Sequence, residues 1–553
     1  MSAINRRRFI GTMLVAGAAQ IAPRAAYSSR ATDSRIEILI SEPAGVIAPE
    51  IYGHFAEHLG GVVYDGIWVG EGSKIANVGG IRRALVESLK RIRPAVVRWP
   101  GGCFADSYDW RDGTGPRAAR PRRTNFWSDG LPQKQFGNAP QKYDPNHFGT
   151  NEFVRFCRLI GAQPYLAANL RSLPARDFYQ WVEYCNAPAG STSLADLRAA
   201  SGDREPFNVR YWGVGNESWG CGGNFTAEEY AAEFRRFTAW VPGYEKRLSL
   251  IGAGPGSGDL SWTRRFFAKL AEKGEGQLNG MYGWGLHHYS WNLSRGQSND
   301  WEKAKGDALK FDVEEWYELF RQGDQVEKLI NDHWAAMGEI DKSHRVKLVV
   351  DEWGAWYRPG SEAHPTHQLG QASTMRDAVL AGLTLDIFNR HADKVAMANI
   401  AQLVNCLAAL FITHEDQFIV TPTYHVFEMY AAHQGNRALR MTVDAPEVRY
   451  NRVGKAASFW GLKGSASLGD REMVVTVVNP HASEARETEI SLRGAAIKSA
   501  QARTIAADDI HAHNSFASPR AVEPKDAAIT ASGASLVHRF PPASVTRLRI
   551  ELA

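Results

Sequence analysis

Nowhere does this chain run apolar and uncharged for the ~20 residues that a membrane-crossing helix needs, which excludes a helical integral membrane protein. Cysteine is scarce: five in 553 residues (Cys103, Cys157, Cys185, Cys221, Cys406), with no CxxC pair and an odd total. That pattern excludes a zinc ribbon and a complete disulfide framework, and leaves at least one thiol unpaired in a monomer. Charge of one sign is also in short supply. The 64 Lys and Arg against 60 Asp and Glu leave a net +4, too little for a nucleic-acid groove or an anionic membrane surface. No internal repeat stands out. What is plentiful is core material: 44% apolar residues with 17 Trp, 18 Tyr and 24 Phe, enough for a large buried core and incompatible with disorder.

Residues 1–30 stand apart. Arg6-Arg7-Arg8-Phe9-Ile10 precedes a weakly apolar run to Ala19 and small residues around Ala22 to Ala26, a pattern that resembles a twin-arginine signal peptide. The expectation is a periplasmic or secreted protein, without a membrane anchor once the leader is removed. A twin-arginine substrate folds before export in a reducing compartment, so dependence on disulfides is not expected.

From residue 50 to 435, eight short apolar runs alternate with helical patterns. The runs are Ile51 to His58, Ala95 to Gly102, Gln163 to Leu170, Val209 to Glu217, Leu248 to Gly254, Gly283 to Ser290, Lys347 to Gly354 and Ala396 to Asn405. Between them, Val326, Leu329, Ile330, Trp334, Met337 and Ile340 recur at helical spacing, and Thr226-Ala227-Glu228-Glu229 reads as a capping box opening a helix through Trp240. Continuously apolar strands joined by helices want a parallel sheet covered on its faces, and eight such units suit a (β/α)8 barrel of the α/β class. A doubly wound open sheet is the competitor. Residues 436–553 alternate with period two and read as an antiparallel β-sandwich, with 31–49 supplying a strand that pairs into it. Two insertions, Cys103 to Phe148 and Trp291 to Gln325, follow barrel strands and read as walls of a site.

The ends of those strands carry a biased set of residues: Glu57 and His58, Asn216 and Glu217, His287, His288 and Tyr289, Asp351 and Glu352, and Gln402. A carboxylate at the end of an apolar run loses hydration, so it needs a reason to be there. Glu217 and Glu352 fall on the fourth and seventh runs and would face each other across a barrel mouth. Two such carboxyls suit glycoside hydrolysis, one giving its proton to the leaving oxygen and the other attacking the anomeric carbon or activating water. The spacing that separates retention from inversion is not legible at this level.

Trp212-Gly213-Val214-Gly215-Asn216-Glu217, Val350-Asp351-Glu352-Trp353, Tyr52-Gly53-His54-Phe55-Ala56-Glu57-His58, Arg98-Trp99-Pro100-Gly101-Gly102, Gln402-Leu403-Val404-Asn405 and Thr421-Pro422-Thr423-Tyr424-His425-Val426-Phe427 together resemble glycoside hydrolase family 51, mainly α-L-arabinofuranosidases. The resemblance implies a retaining enzyme that releases terminal α-L-arabinofuranosyl groups from arabinose-containing plant oligo- or polysaccharides, without cofactor or metal. It implies Glu217 as acid/base and Glu352 as nucleophile. It also implies that Asn216 bonds the sugar 2-hydroxyl, Glu57 bonds other hydroxyls, Gln402 places the nucleophile end, Tyr289 steadies the nucleophile and His287 lies near the acid/base. It is compatible with a homo-oligomer, for which no interface can be located. Many relatives carry an Asn that touches the sugar where this chain has Cys103, so Cys103 is a candidate sugar contact; a free, partly buried thiol is the expectation there, against a bridge to Cys221. An endo-β-glucanase on the same barrel and a catalytically silent sugar-binding protein are the alternatives.

The remaining signals have plainer readings. His54 and His58 lie on a strand and lack the His-Glu-x-x-His order, so no metal is expected. Gly252 to Gly258 contains Pro255 and no following Lys, which suits a turn and not a phosphate loop. Arg117, Arg120, Arg122 and Arg123 read as ion-pair partners. Of Trp99, Trp110, Trp219, Trp291, Trp353 and Trp356, at least two are expected to face a sugar cleft, Trp99 among the candidates.

Overall fold

The computed structural model describes residues 32–127, 142–360 and 367–553. After β1 (Ser34–Val46), eight strands close into a barrel in chain order: β2 (Gly53–Phe55), β3 (Val96–Trp99), β4 (Gln163–Ala168), β5 (Tyr211–Val214), β6 (Ser249–Gly252), β7 (Met281–Ser290), β8 (Lys347–Ala355) and β9 (Val395–Ala401). All eight neighbour pairs are parallel. The crossovers are helical: α1 (Arg83–Ile92), α2 (Thr150–Ile160), α3 (Ala175–Asn186), α4 (Ser193–Ala200), α5 (Ala227–Thr238), α6 (Leu260–Leu270), α7 (Val313–Gly338), α8 (Met375–Arg390) and finally α9 (Pro422–Tyr430). Val96, Tyr165, Tyr211, Ile251, Val349 and Met397 fill the barrel interior, while the outward faces of the strands pack on the helices.

Several strands are shorter than the apolar runs that predicted them. The run Val209 to Glu217 yields a strand only over Tyr211–Val214, because its last residues leave the ladder to build the rim. Helix α5 starts as its capping box requires: Glu229 N–H donates to Thr226 Oγ1 at 3.3 Å and Thr226 N–H donates to Glu229 Oε2 at 2.8 Å. It ends at Thr238, two residues before Trp240.

The C-terminal part is a mostly antiparallel sheet of ten strands. Its further members are β10 (Arg437–Asp444), β11 (Lys463–Leu468), β12 (Glu472–Asn479), β13 (Arg486–Arg493), β14 (Ile497–Ile505), β15 (Lys525–Ile529), β16 (Ala531–Ser532), β17 (Ser535–Phe540) and β18 (Ser544–Leu552). The spatial order is β15-β14-β18-β12-β11-β10-β1-β13-β17-β16. Strand β1 lies between β10, to which it is antiparallel, and β13, to which it is parallel, so both ends of the chain share one sheet. Alternate residues, among them Ile36, Ile38, Met473, Val475, Ile490 and Leu548, form a core separate from that of the barrel. Among the described residues no helix is long and apolar enough to cross a membrane.

A buried polar knot ties the two parts. Asp386 on α8 accepts hydrogen bonds from Ser465 Oγ on β11 at 2.7 Å, from Tyr430 Oη on α9 at 2.9 Å and from the Thr476 hydroxyl on β12. Burial raises its pKa to about 7, against the pull of these three hydroxyls and of Arg390. A carboxyl whose folded pKa lies above its unfolded value stabilises the fold fully below the unfolded pKa, and that contribution is lost as pH rises through the folded one. Asp386→Asn is therefore expected to flatten the decline in Tm between pH 4 and pH 7. Thermal melts of both proteins across that range check this, and parallel curves would count against it.

Candidate active site

The C-terminal ends of the barrel strands bring the biased set of residues together. Glu352 reaches the pocket through a β-bulge. Along β7 and β8, Leu286 pairs with Val350 but His287 pairs with Glu352, so Asp351 is the extra residue. With Val349 in the barrel interior, simple alternation would aim Asp351 inward and Glu352 outward; the bulge re-aims Glu352 to the mouth. Glu217 lies at φ 39°, a region uncommon for residues with a Cβ and costing on the order of 1 kcal/mol or more. Its carbonyl is held by the N–H groups of Gly220 at 2.7 Å and Gly222 at 3.1 Å.

The two carboxylates meet around one imidazole. His287 Nδ1 is 2.9 Å from Glu217 Oε1 and 3.7 Å from Glu352 Oε2, and single oxygens of the two acids lie within 4.8 Å of each other and of that ring. Burial depresses the basicity of His287, but the negative charges of Glu352 and Glu217 outweigh it and raise its pKa. Glu352 is the mirror case. Burial opposes its ionisation, while His287, Arg98 and the Tyr289 hydroxyl together hold its carboxyl below the usual range. Arg98 donates from Nη1 to Glu352 Oε1 at 2.8 Å and from Nη2 to Asn216 Oδ1 at 2.7 Å, and Tyr289 Oη donates to Glu352 Oε2 at 2.7 Å. In the sequence Arg98 stands within the motif Arg98-Trp99-Pro100-Gly101-Gly102, with no role of its own expected. A cation in the middle of an apolar strand run was the signal that could have singled it out.

Glu57 lies beside them. Its Oε1 accepts from the N–H groups of Gly102 and Phe104, each at 3.0 Å, and Oε2 accepts from Gln402 Nε2 at 3.2 Å. Burial and the neighbouring Glu352 charge push its pKa up to about 7 despite those donors. Gln402 thus holds Glu57 on both sides, since Glu57 N–H also donates to its Oε1 at 3.0 Å; it makes no hydrogen bond to Glu352 among the described residues. Space explains the paired glycines after Pro100. A Cβ on Gly101 would come within 2.6 Å of Glu57 Cγ, and one on Gly102 within 2.8 Å of Glu352 Oε1.

Two expectations need correction. Trp99 is fully buried, donates from Nε1 to His58 Nε2 at 3.0 Å and stacks on Phe153 at 5.0 Å. Strand alternation is the reason: with Arg98 pointing inward, Trp99 must point outward to the helices and away from any sugar. Cys103 is not a free thiol but bridges to Cys221. The loops after β3 and β5 converge at the rim, which spacing along the chain could not reveal. The bridge lies against Glu217, with Cys221 Sγ 3.6 Å and Cys103 Sγ 3.9 Å from Oε2. A disulfide sulfur carries no hydrogen, so these are packing contacts and not hydrogen bonds.

Beyond His287 the pocket opens into a cleft of about 610 Å³ lined by Glu217, Trp219, His288, Tyr289, Trp291, Trp301 and Trp356, among others. Trp219, Trp291 and Trp356 face it, whereas Trp110 and Trp353 are buried with Trp99. Trp301 joins the lining from the second insertion, with Lys305 Nζ over its ring at 3.7 Å. The arginine cluster is engaged elsewhere: Arg117 with Glu71 and Glu152, Arg120 with Glu152, and Arg123 with Asp112. A concavity of about 600 Å³ at the opposite end of the barrel, lined by Arg210, Lys246, Arg247 and Arg345, contains none of these acids.

Residues 88–305 match the family model described as alpha-L-arabinofuranosidase 1 domain, and residues 351–544 that of the alpha-L-arabinofuranosidase C-terminal domain. The chain is 36% identical over 485 residues to an intracellular exo-alpha-L-arabinofuranosidase of Bacteroides ovatus, covering 87% of this chain and 88% of the relative. It is 29% identical to an intracellular exo-alpha-(1->5)-L-arabinofuranosidase of Streptomyces lividans, over 87% of this chain and 69% of the other. Among solved structures, the GH51 arabinofuranosidase from Xanthomonas axonopodis pv. citri is similar with TM-score 0.85 and 34% identity, over 94% of this chain and all of that one. The names of the curated relatives overturn the expected export. Arg6, Arg7 and Arg8 lie in residues 1–31, outside the described residues. A twin-arginine leader is a receptor-read address of two charges and a short apolar stretch, which a terminal segment can match with no structural constraint to confirm it.

The bridge predicts a thiol count. The denatured, unreduced protein should titrate three thiols, Cys157, Cys185 and Cys406, and all five after reduction. Five without reductant would remove the bridge.

Proposed function

Because the chain belongs to glycoside hydrolase family 51, the α-L-arabinofuranosidases, we propose that it releases terminal α-L-arabinofuranosyl groups from arabinose-containing plant oligo- or polysaccharides by a two-step displacement with retention at the anomeric carbon. The observation that carries this reading is the approach of Glu217 and Glu352 oxygens to within 4.8 Å around His287. Retaining glycosidases hold their carboxyls about 5–5.5 Å apart, whereas inversion needs roughly 6.5–9.5 Å to admit water between acid and sugar.

Glu352 is the nucleophile. Its charge is supported by Arg98 and Tyr289, and it attacks the anomeric carbon as the bond to the leaving oxygen breaks. Glu217 gives that oxygen its proton. The ester removes the negative charge of Glu352, and Glu217, now ionised, takes a proton from the water that attacks the anomeric carbon and frees Glu352. Glu57, with Gln402 behind it, and Asn216, with Arg98 behind it, offer polar atoms to the furanose hydroxyls. Trp219, Trp291, Trp301 and Trp356 give the cleft aromatic faces for the sugar on the leaving side. The curated relatives are named exo-acting, which supports this reading over an endo-β-glucanase, and the intact pair of acids supports it over a silent binding protein.

Glu352→Ala is expected to abolish turnover of an aryl α-L-arabinofuranoside, with azide restoring part of it and giving an arabinosyl azide of opposite anomeric configuration by NMR. Activity like that of the unaltered protein would remove Glu352 from this role. Glu217→Ala should cost about 10²–10⁴-fold on substrates with poor leaving groups and much less in the first step of those with good ones; equal losses on both would rule out an acid role.

A further inference from the structure

Beneath the pocket lies a buried acid that the two-carboxylate chemistry does not use. Asp351, the residue left over by the β-bulge, is 4% exposed and points into the barrel under Glu352. Its Oδ2 accepts from Tyr165 Oη on β4 at 3.0 Å. Strand β7 closes the space on another side, since a Cβ on Gly285 would lie 3.0 Å from the same oxygen. Arg98 enters this chamber from β3. Its guanidinium is 1% exposed and feels both Asp351 and Glu352, but its hydrogen bonds go to Glu352 and Asn216. Among the described residues no hydrogen bond joins Asp351 to Arg98, so their attraction acts through space.

The chamber therefore sets the Arg98 cation, with the His287 ring above it, against two acids, and only one of those acids keeps its charge through the reaction. When Glu352 becomes an ester its carbonyl can still accept a hydrogen bond, but Arg98 loses the negative charge of that partner. A buried cation without a counter-charge is strongly destabilising, and a displaced Arg98 would release both Glu352 and Asn216. We propose that Asp351 is the permanent counter-charge of Arg98, a positioning residue that keeps the guanidinium seated while Glu352 is esterified and that limits its pull on Glu352 before attack. The proposal rests on the reading of Glu352 as nucleophile. Burial and, to a lesser degree, the Glu352 charge raise the pKa of Asp351 above the usual carboxylate value, while Arg98, His287 and the Tyr165 hydroxyl pull it back; Tyr230 on α5 also faces it. Glu352 is faced by Arg98 from β3, Glu57 after β2, Glu217 after β5, His287 and Tyr289 from β7, Cys406 after β9 and Asp351 on its own strand.

Asp351→Asn keeps the shape and an acceptor for Tyr165 but removes the charge. With an aryl α-L-arabinofuranoside, kcat should fall roughly 10- to 100-fold with KM changed less than about twofold. The acid limb of the pH profile should move to lower pH, because removing a neighbouring negative charge favours ionised Glu352. In a Glu217→Ala background, where the second step is slow, intact mass should show a pentosyl adduct on Glu352, and adding Asp351→Asn should diminish it. A lowered Tm with an unmoved acid limb and undiminished adduct would make Asp351 merely structural and overturn the proposal. An absent adduct in Glu217→Ala alone would instead sink the nucleophile reading. Should the Asn variant not fold, neutron diffraction of the Glu217→Ala adduct decides the point. Asp351 must carry no deuteron there, and a protonated Asp351 overturns the proposal.

Discussion

A single buried guanidinium organises the pocket. Arg98 is reached through a parallel strand whose neighbouring residues pack in the cores, and its planar fork is divided between a carboxylate on β8 and an amide following β5. A lysine would not reproduce this, because its donors radiate from one nitrogen on a flexible stem, whereas the guanidinium holds two nitrogens apart in a rigid plane. The two glycines after Pro100, the bulge before Glu352 and the strained backbone at Glu217 all serve this arrangement. Each allows a polar group to approach where an ordinary side chain or a regular strand would keep it away.

The two acids have different surroundings, and the difference matches the different tasks proposed for them. Glu352 is almost wholly enclosed, bonded on both oxygens and held in its charged form. Glu217 touches His287 through one oxygen and a disulfide through the other, and its side chain is 23% exposed toward the cleft. An enclosed, supported anion is suited to attack; an acid at the edge of a cleft can pass a proton to a leaving group and later meet water. The disulfide adds a covalent tie at this edge between the loops after β3 and β5, which are also joined by the Asn216 N–H donating to Asp106 Oδ2 at 3.1 Å.

Behind the pocket, the C-terminal sheet braces the barrel through α8. The hydroxyls of Ser465, Thr476 and Tyr430 converge on Asp386, and the N-terminal strand closes the same sheet. The matched family domain at residues 351–544 begins inside the barrel, at β8, and ends in β18. Sequence kinship thus crosses the structural boundary, as expected if the last barrel strands and the sheet depend on each other.

Period and polarity along the chain were sufficient for the eight barrel strands, the alternating C-terminal strands and the acids at the strand ends, because each is a local matter of which residues tolerate burial. Glu217, Glu352, Glu57, Asn216, His287, Tyr289 and Gln402 were legible as a set for the same reason, and the structure collects them at one mouth. The partnership of Cys103 with Cys221, the outward turn of Trp99, the bulge at Asp351 and the division of Arg98 between two strands were not legible. These depend on register and on distances between segments remote along the chain, which exist only once the barrel has closed.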